Sequence, residues 1–173
     1  MSDTDALLVE RCRSGDRSAF AALVAVHLPR MHAIAVAVVH DPVVADDVVQ
    51  ETFLKAWTRL GQLTDPTTFA AWTARITRNE AISVLRRSRQ ARSVPVEEAM
   101  LTAPNAEEPD PRFAALRTAL VGLKPEYREI LALRYDANLD YEAISATLGI
   151  TRANVEKRLY RARQALLSSM SVS

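Results

Sequence analysis

The sequence predicts an all-α protein built from two small helical domains. Only 4 of its 173 residues are glycine, and hydrophobic residues make up 49% of the chain, enough to form a buried core. Alanine, leucine, arginine and glutamate recur at intervals of three and four residues, and β-branched residues do not alternate with polar ones. These features favour helices over strands throughout.

A segment rich in proline and acidic residues divides the chain. It contains four prolines and five acidic residues, with little apolar periodicity: Pro95, Pro104, Pro109, Pro111, Glu97, Glu98, Glu107, Glu108 and Asp110. This composition is typical of a linker. We therefore predict one domain over residues 1–89, a flexible acidic linker over 90–112, and a second domain over 113–173.

Two Asp-Pro pairs mark helix starts in the first domain. An aspartate followed by proline suits the cap and the first helical position, and this occurs at Asp41-Pro42 and Asp65-Pro66. After the first pair, apolar residues form one helical stripe: Ala45, Val48, Val49, Phe53, Ala56, Trp57 and Leu60. After the second pair the apolar positions are Phe69, Trp72, Ile76, Ile82 and Leu85. Together with apolar residues upstream, these segments predict a small helical bundle.

The second domain carries a helix-turn-helix pattern. Apolar residues between Phe113 and Leu123, and then Ile130, Leu131, Leu133 and Tyr135 after Pro125, predict two inward-facing helices. Asp140 can cap a short helix, Gly149 can supply a left-handed turn residue, and Thr151 can cap the last helix.

The last helix has the pattern of a DNA recognition helix. A buried stripe of Val155, Leu159, Ala162 and Leu166 leaves seven polar positions free to contact base edges and phosphates: Arg152, Asn154, Glu156, Lys157, Arg158, Arg161 and Arg163. A basic amphipathic helix alone is more often a solvated surface. The capped short helix and the glycine turn before it favour DNA binding.

Composition limits the possible functions. The formal net charge is only +1, which is small for a protein that grips DNA unaided. No glycine-rich phosphate loop or nucleophile motif accompanies the pairs of acidic residues, so we expect no catalysis and no cofactor. The three histidines and Cys12 do not have the spacing of a zinc site, so we expect no metal. The longest apolar stretch, residues 33–39, is too short to span a membrane, and no export signal is present, so we expect a cytoplasmic protein.

Two stretches together resemble the bacterial RNA polymerase sigma factors of the extracytoplasmic-function (ECF) group within the sigma-70 family. The first is DDVVQETFLKAW followed by FAAWTARITRNEAISVLRR, similar to the domain that holds polymerase and the −10 promoter element. The second is LKPEYREILALRYDANLDYEAISATLGITRANVEKRLYRARQAL, similar to the domain that reads the −35 element. The resemblance covers nearly the whole chain, in order.

The resemblance implies roles for particular residues. One set would dock on the clamp helices of the polymerase β′ subunit: Asp47, Gln50, Glu51 and Leu54. A second set would face a melted −10 element: Trp72, Arg75, Arg78 and Asn79, with Arg86 and Arg87 on duplex backbone. The loop over residues 63–67 would shape the pocket for an unstacked base. The resemblance also implies contact with the β flap, promoter DNA and an anti-sigma factor.

Other readings of these residues and of the whole chain stay open. The acidic face at Asp47 could be a solvated surface, and Trp72 could serve the core instead of DNA. Asn154 and Glu156 depart from the residues common in the family's recognition helix, so a different −35 sequence is expected. The main rival function is a self-sufficient helix-turn-helix regulator that binds an operator without polymerase; a module that only masks a partner is a third possibility.

Overall fold

The computed structural model describes residues 2–91 and 111–170, and it is helical over most of both ranges. The helices are α1 (Ser2–Arg13), α2 (Arg17–Val39), α3 (Pro42–Thr58), α4 (Phe69–Ala91), α5 (Pro111–Val121), α6 (Pro125–Leu131), α7 (Tyr141–Leu148) and α8 (Arg152–Met170). No strand occurs within these two ranges, which confirms the all-α prediction. The predicted flexible linker lies mostly outside the described residues.

Both Asp-Pro pairs begin helical structure as predicted. The Asp41 carboxylate accepts hydrogen bonds from the backbone N–H groups of Val43 and Val44, with Pro42 in the first helical turn of α3. The Asp65 carboxylate accepts from the Thr67 N–H at 2.9 Å and caps a 3₁₀ turn, Pro66–Thr68, that leads into α4. In both cases the side chain satisfies N–H groups that a helix start leaves without a partner.

Helix α2 is longer and more apolar than the sequence reading assumed. It runs for 23 residues, through an internal proline, and by length and composition it could cross a membrane. The expectation that the longest apolar segment covers only residues 33–39 was therefore wrong. In this fold α2 packs against α1, α3, α4 and α6, and it buries Leu23, Met31 and Ile34 completely. The core helix of a soluble protein can have the same length and apolar composition as a membrane-spanning helix.

The buried face of α4 includes two threonines. Thr73 and Thr77 are fully buried, and their hydroxyls donate to the backbone carbonyls four residues earlier, the second at 2.9 Å. This local bond satisfies the hydroxyl, so each threonine can enter the core. As a result the core face runs from Phe69 through the threonines to Ala81, while Ile82, predicted as part of the apolar stripe, is 40% exposed.

A π-helical turn follows α6 and changes which residues face inward. The turn spans Ala132–Asp136, and the wider winding buries Leu133 and Ala137. The same winding turns Tyr135 outward, where it is 59% exposed. The prediction that Tyr135 points inward was wrong because it assumed a regular α-helical period through this segment.

The helix-turn-helix has the predicted caps. Asp140 accepts a hydrogen bond from the Ala143 N–H at 2.8 Å, and Gly149 ends α7 in the left-handed region with φ of 66°. The Thr151 hydroxyl accepts from the Asn154 N–H at 3.3 Å at the start of α8. Val155 and Leu159, two residues of the predicted buried stripe of α8, are fully buried.

The two helical units are in direct contact. The N-terminal unit, α1 to α4, and the C-terminal unit, α5 to α8, share one continuous hydrophobic core cluster. Helix α2 packs against α6 and the π turn, and α4 packs against α7. The sequence indicated two units with a tether between them and said nothing about this contact.

Candidate polymerase and DNA interfaces

The predicted polymerase-docking residues form one exposed ridge on α3, the docking ridge: Asp47, Gln50, Glu51 and Leu54. They share a face because they recur at intervals of three and four residues, while Val48, Thr52 and Phe53 of the same helix turn into the core. Leu54 is 58% exposed, an apolar side chain among polar neighbours. The structure therefore brings all four predicted residues together on the surface.

A groove runs along each side of the docking ridge. Between α2 and α3 the groove is mainly apolar, with Phe20, Leu28 and Trp57 among its lining residues. Phe20 and Trp57 meet edge to face, with ring centroids 4.9 Å apart. Between α3 and α4 the groove is lined by polar and apolar side chains alike, and Lys55 bridges Glu51 at 3.2 Å and Glu80 at 2.6 Å. The hydrogen bond that Lys55 donates to Glu80 raises the pKa of Lys55.

The predicted −10 residues lie along α4 but not in one environment. Trp72 is partly buried against Phe69, with ring centroids 6.1 Å apart, and its face also borders a groove. Arg75 is exposed beside it and borders the same groove. Asn79 is exposed one turn further along. Trp72 thus packs partly against the core and keeps part of its ring at the edge of the groove.

Among the α4 arginines whose side chains the structure describes, Arg78 is engaged, whereas Arg75, Arg86 and Arg87 are exposed. Arg78 Nε lies 2.6 Å from Glu129 Oε1 of α6, and the side chains are only 23% and 12% exposed. Arg86 and Arg87 are exposed near the end of α4, and Arg87 Nε makes a long bond of 3.4 Å to the Ser83 carbonyl. Arg78 is therefore committed to the C-terminal unit in this structure.

The outer face of α8 is open to solvent. Asn154, Glu156, Lys157 and Arg161 are exposed, and Arg158 is partly exposed beside them. The buried stripe of α8 fixes this face outward, since Val155 and Leu159 pack into the core on the opposite side. The geometry matches a recognition helix whose first turns are accessible.

Two arginines of the predicted −35 set already have partners within the C-terminal unit. Arg152 lies 2.8 Å from Glu142 and 3.2 Å from Glu156, and the hydrogen bond that it donates to Glu142 is the main reason that the pKa of Arg152 is raised. Arg163 Nε donates to the Tyr135 hydroxyl at 2.8 Å, which raises the pKa of Arg163. Both arginines are held on the protein surface in this state.

Several residues of these surfaces escaped the sequence reading. The sequence did not indicate the contacts of Glu129 with Arg78 and of Tyr135 with Arg163, because these partners are 51 and 28 residues apart in the chain. Phe20 and Leu28 follow a helical spacing, which could have indicated the apolar groove. Among the residues that the structure describes, no group of three His, Cys, Asp or Glu side chains could hold a metal ion.

Family models match both units of the chain. The model described as Sigma-70 region 2 matches residues 23–91, and the model described as Sigma-70, region 4 matches residues 113–166. The RNA polymerase sigma-H factor of Pseudomonas aeruginosa is 32% identical over 95% of this chain and 92% of its own length. The ECF RNA polymerase sigma factor SigE of Mycolicibacterium smegmatis is 34% identical over 88% of this chain.

A solved structure has the same fold. The sigma factor RpoE, in a co-crystal with the anti-sigma factor NepR from Bartonella quintana, matches with a TM-score of 0.75 and 26% identity. The match covers 89% of this chain and 98% of that chain.

The fold and the surfaces described above define a two-unit helix-turn-helix protein. Two family models match in order, and sigma-H is matched over nearly its full length. The chain therefore belongs to the sigma-70 family, in its ECF group. Some relatives are longer than this chain, which spans 63% of the length of SigE. A probable RNA polymerase sigma factor of Xanthomonas campestris, RfaY, is 35% identical over 87% of this chain, and the chain spans 40% of its length.

Proposed function

We propose that this chain binds core RNA polymerase and directs it to promoters by reading duplex DNA at −35 and melted DNA at −10. The observation that carries the proposal is the match of both sigma-70 region models, in order, to two units whose outer faces remain accessible on α3 and α8. The proposal needs no catalytic chemistry in the chain, and it places the chain in the cytoplasm with polymerase.

The docking ridge is the proposed contact with the β′ clamp helices. The carboxylates and the amide of the ridge can speed association with polymerase through charge, and the exposed Leu54 can add affinity for polymerase through burial of apolar area. The apolar groove between α2 and α3 extends this surface. We assign contact with the β flap to the C-terminal unit.

The proposed DNA contacts lie on α4 and α8. Trp72 and Arg75 offer a ring and a cation for an unstacked −10 base, together with Asn79 and Arg78. Arg86 and Arg87 would contact duplex backbone. On α8 the −35 contacts would come from Asn154, Glu156, Lys157, Arg158 and Arg161, with Arg152 and Arg163 once they leave their present partners.

The charge of the chain favours this function over a self-sufficient regulator. Phosphate contacts supply much of the affinity of proteins that bind DNA alone, and such proteins usually carry a clear positive excess. This chain carries +1. A factor that relies on polymerase for DNA affinity needs only short reading surfaces. We also propose an anti-sigma factor as a partner, since RpoE was solved with one.

The docking ridge can be tested by charge reversal. We expect Asp47→Lys with Glu51→Lys to abolish co-purification with core polymerase, because both exposed carboxylates would become cations, while helical content stays normal. The matched control is Glu10→Lys with Glu126→Lys, which makes the same change in net charge at exposed positions away from the ridge. Normal polymerase binding by the ridge variant, or equal loss in the control, would contradict the proposal.

A further inference from the structure

Glu156 is the single acidic side chain of the recognition helix α8. The helix also carries five basic residues: Arg152, Lys157, Arg158, Arg161 and Arg163. The Glu156 side chain is 51% exposed, so it is accessible to a ligand of this helix. On duplex DNA a carboxylate is repelled by the phosphates, which lowers affinity unless the carboxylate gains a specific partner. The place of Glu156 on a basic helix therefore calls for such a partner.

The stability of α8 gives little reason for an acid at this position. Arg152 precedes Glu156 by four residues, and Arg152 Nε lies 3.2 Å from Glu156 Oε1. In a helix the opposite order, with the acid before the base, is the more stabilising one, because it also matches the helix dipole. Both side chains are more than half exposed, so their ion pair contributes little to the fold.

Arg152 fixes the position of the Glu156 carboxylate. Besides its bond to Glu156, the guanidinium donates through Nη1 to Glu142 of α7 at 2.8 Å. Its central carbon also lies 6.0 Å from the centre of the Tyr141 ring, within range of a cation–π contact. Groups from both helices of the helix-turn-helix thus hold Arg152. The arginine bond uses Oε1 of Glu156, and the second carboxylate oxygen can accept a hydrogen bond from DNA.

Glu156 lies in the part of the recognition helix that meets base edges. The first turns of a recognition helix contact bases in the major groove, whereas the helix before it crosses the DNA backbone. Glu156 is in the second turn of α8, and Arg152 links it to the first turn of α7. We therefore expect its carboxylate at the edge of a base pair, beside a phosphate that α7 approaches.

The chemistry of the major groove selects the base. A carboxylate only accepts hydrogen bonds. Guanine presents the acceptors N7 and O6 and thymine presents the acceptor O4, so both bases repel a carboxylate. Adenine presents an amino group, but its acceptor N7 stands directly beside it. Cytosine presents the N4 amino group without a neighbouring acceptor, so it is the base that suits Glu156 best.

Building on the proposed function, we propose that Glu156 reads one cytosine of the −35 duplex by accepting a hydrogen bond from its N4 amino group, with Arg152 as the residue that positions the carboxylate. On DNA, Arg152 keeps Glu156 through Nε and exchanges Glu142 for a backbone phosphate. The pair of Arg152 and Glu142 is exposed on both sides, so this exchange costs little free energy. The −35 sequence of this chain thus contains a C·G pair whose identity depends on Glu156.

Selection of duplexes from a randomised library tests the base assignment. Glu156→Gln replaces the carboxylate by an amide, which can pair with both N6 and N7 of adenine. We expect the wild-type chain to enrich cytosine at one position and the Glu156→Gln chain to enrich adenine there. The matched control, Glu126→Gln, removes the same charge from an exposed position of α6 and should enrich the same bases as the wild type.

Fluorescence anisotropy measures the size of the preference. Two labelled duplexes are compared, the selected one and its counterpart with adenine in place of the cytosine. The wild-type chain should prefer the cytosine duplex about tenfold, as for a single good base contact, and Glu156→Gln should lose or reverse this preference. Arg152→Met should weaken the preference for cytosine without moving it to adenine. Its loss of phosphate affinity is equal on both duplexes, so that loss leaves the ratio unchanged.

The selection is run with the full chain alone at low salt, where phosphate contacts are strongest, and again with core polymerase. The same base at every enriched position in the wild type and in Glu156→Gln would overturn the inference. So would the absence of any base preference in both selections. Failure of the proposed function has a different signature, because the chain would then not bind core polymerase. The selection with the chain alone would still decide whether Glu156 selects a base.

Discussion

Leu54 on the docking ridge offers the sharpest quantitative test of how the chain meets polymerase. It is 58% exposed in the free chain, although it is a large apolar side chain on a helix whose other apolar residues are mostly buried. If α3 docks on the β′ clamp helices, this exposed surface becomes buried. Leu54→Ala removes most of the area that would be covered, and it leaves the core of the N-terminal unit untouched.

The expected loss of affinity follows from the exposed fraction. Burying a whole leucine side chain contributes about 1.5–3 kcal/mol, so burying the 58% that is still exposed contributes about 0.9–1.7 kcal/mol. Since about 1.4 kcal/mol corresponds to a tenfold change, the dissociation constant for core polymerase should rise roughly 4- to 18-fold. Thermal unfolding of the variant should match that of the wild type.

Val43→Ala is the matched control for this measurement. Val43 lies on the same helix and is 74% exposed, but it borders neither of the two grooves beside the ridge. Fluorescence titration of labelled chain with core polymerase should therefore give a wild-type constant for Val43→Ala. Wild-type affinity in Leu54→Ala, or an equal loss in both variants, would refute the docking assignment.

Three further predictions concern the fold and the recognition helix. Gly149→Ala should lower the free energy of unfolding by roughly 1–2 kcal/mol, because the φ angle of Gly149 is +66°. The control Gly61→Ala, at a position with no positive φ and no close neighbour, should leave that free energy unchanged or raise it by about 0.4–1 kcal/mol. Urea unfolding measures both variants, and equal effects would contradict the turn assignment. Arg158→Ala with Arg161→Ala should weaken promoter binding by the polymerase complex by about 1–3 kcal/mol per lost contact, without weakening the binding of the chain to core polymerase. Filter binding of promoter DNA measures this loss, and unchanged promoter affinity would show that α8 is not the reading helix. Burial lowers the pKa of His27 below its ordinary 6.5, so below that pH the unfolded chain binds a proton that the folded chain does not. The free energy of unfolding should therefore fall as the pH decreases from 7 to 5. The dependence of this free energy on pH should be weaker in His27→Gln, and an unchanged dependence would contradict the prediction.

Local sequence signals predicted much of the secondary structure and the residues of the exposed surfaces. The caps at Asp41 and Asp140 and the turn at Gly149 follow from the geometry of single helix ends, which three or four neighbouring residues determine. The docking ridge and the outer face of α8 follow from helical periodicity. The roles assigned to these faces came from the resemblance to sigma factors, and they remain predictions.

Features that depend on distant residues could not be predicted in this way. Thr73 and Thr77 look like surface positions until their bonds to the preceding turn are seen. The buried pair of His27 and Asp5, 3.1 Å apart, joins α1 to α2 across 22 residues. The contact of Arg78 with Glu129 depends on how two units pack together, and periodicity within one helix contains no information about that packing.

The most direct test of the account is run-off transcription by core polymerase mixed with this chain, on DNA taken from upstream of its own gene. The account predicts a transcript of defined start that requires both components and disappears with Asp47→Lys plus Glu51→Lys, while the chain alone binds the same duplex weakly. The contradictory result is no transcript from any template tested, together with tight and specific binding of that duplex by the chain alone.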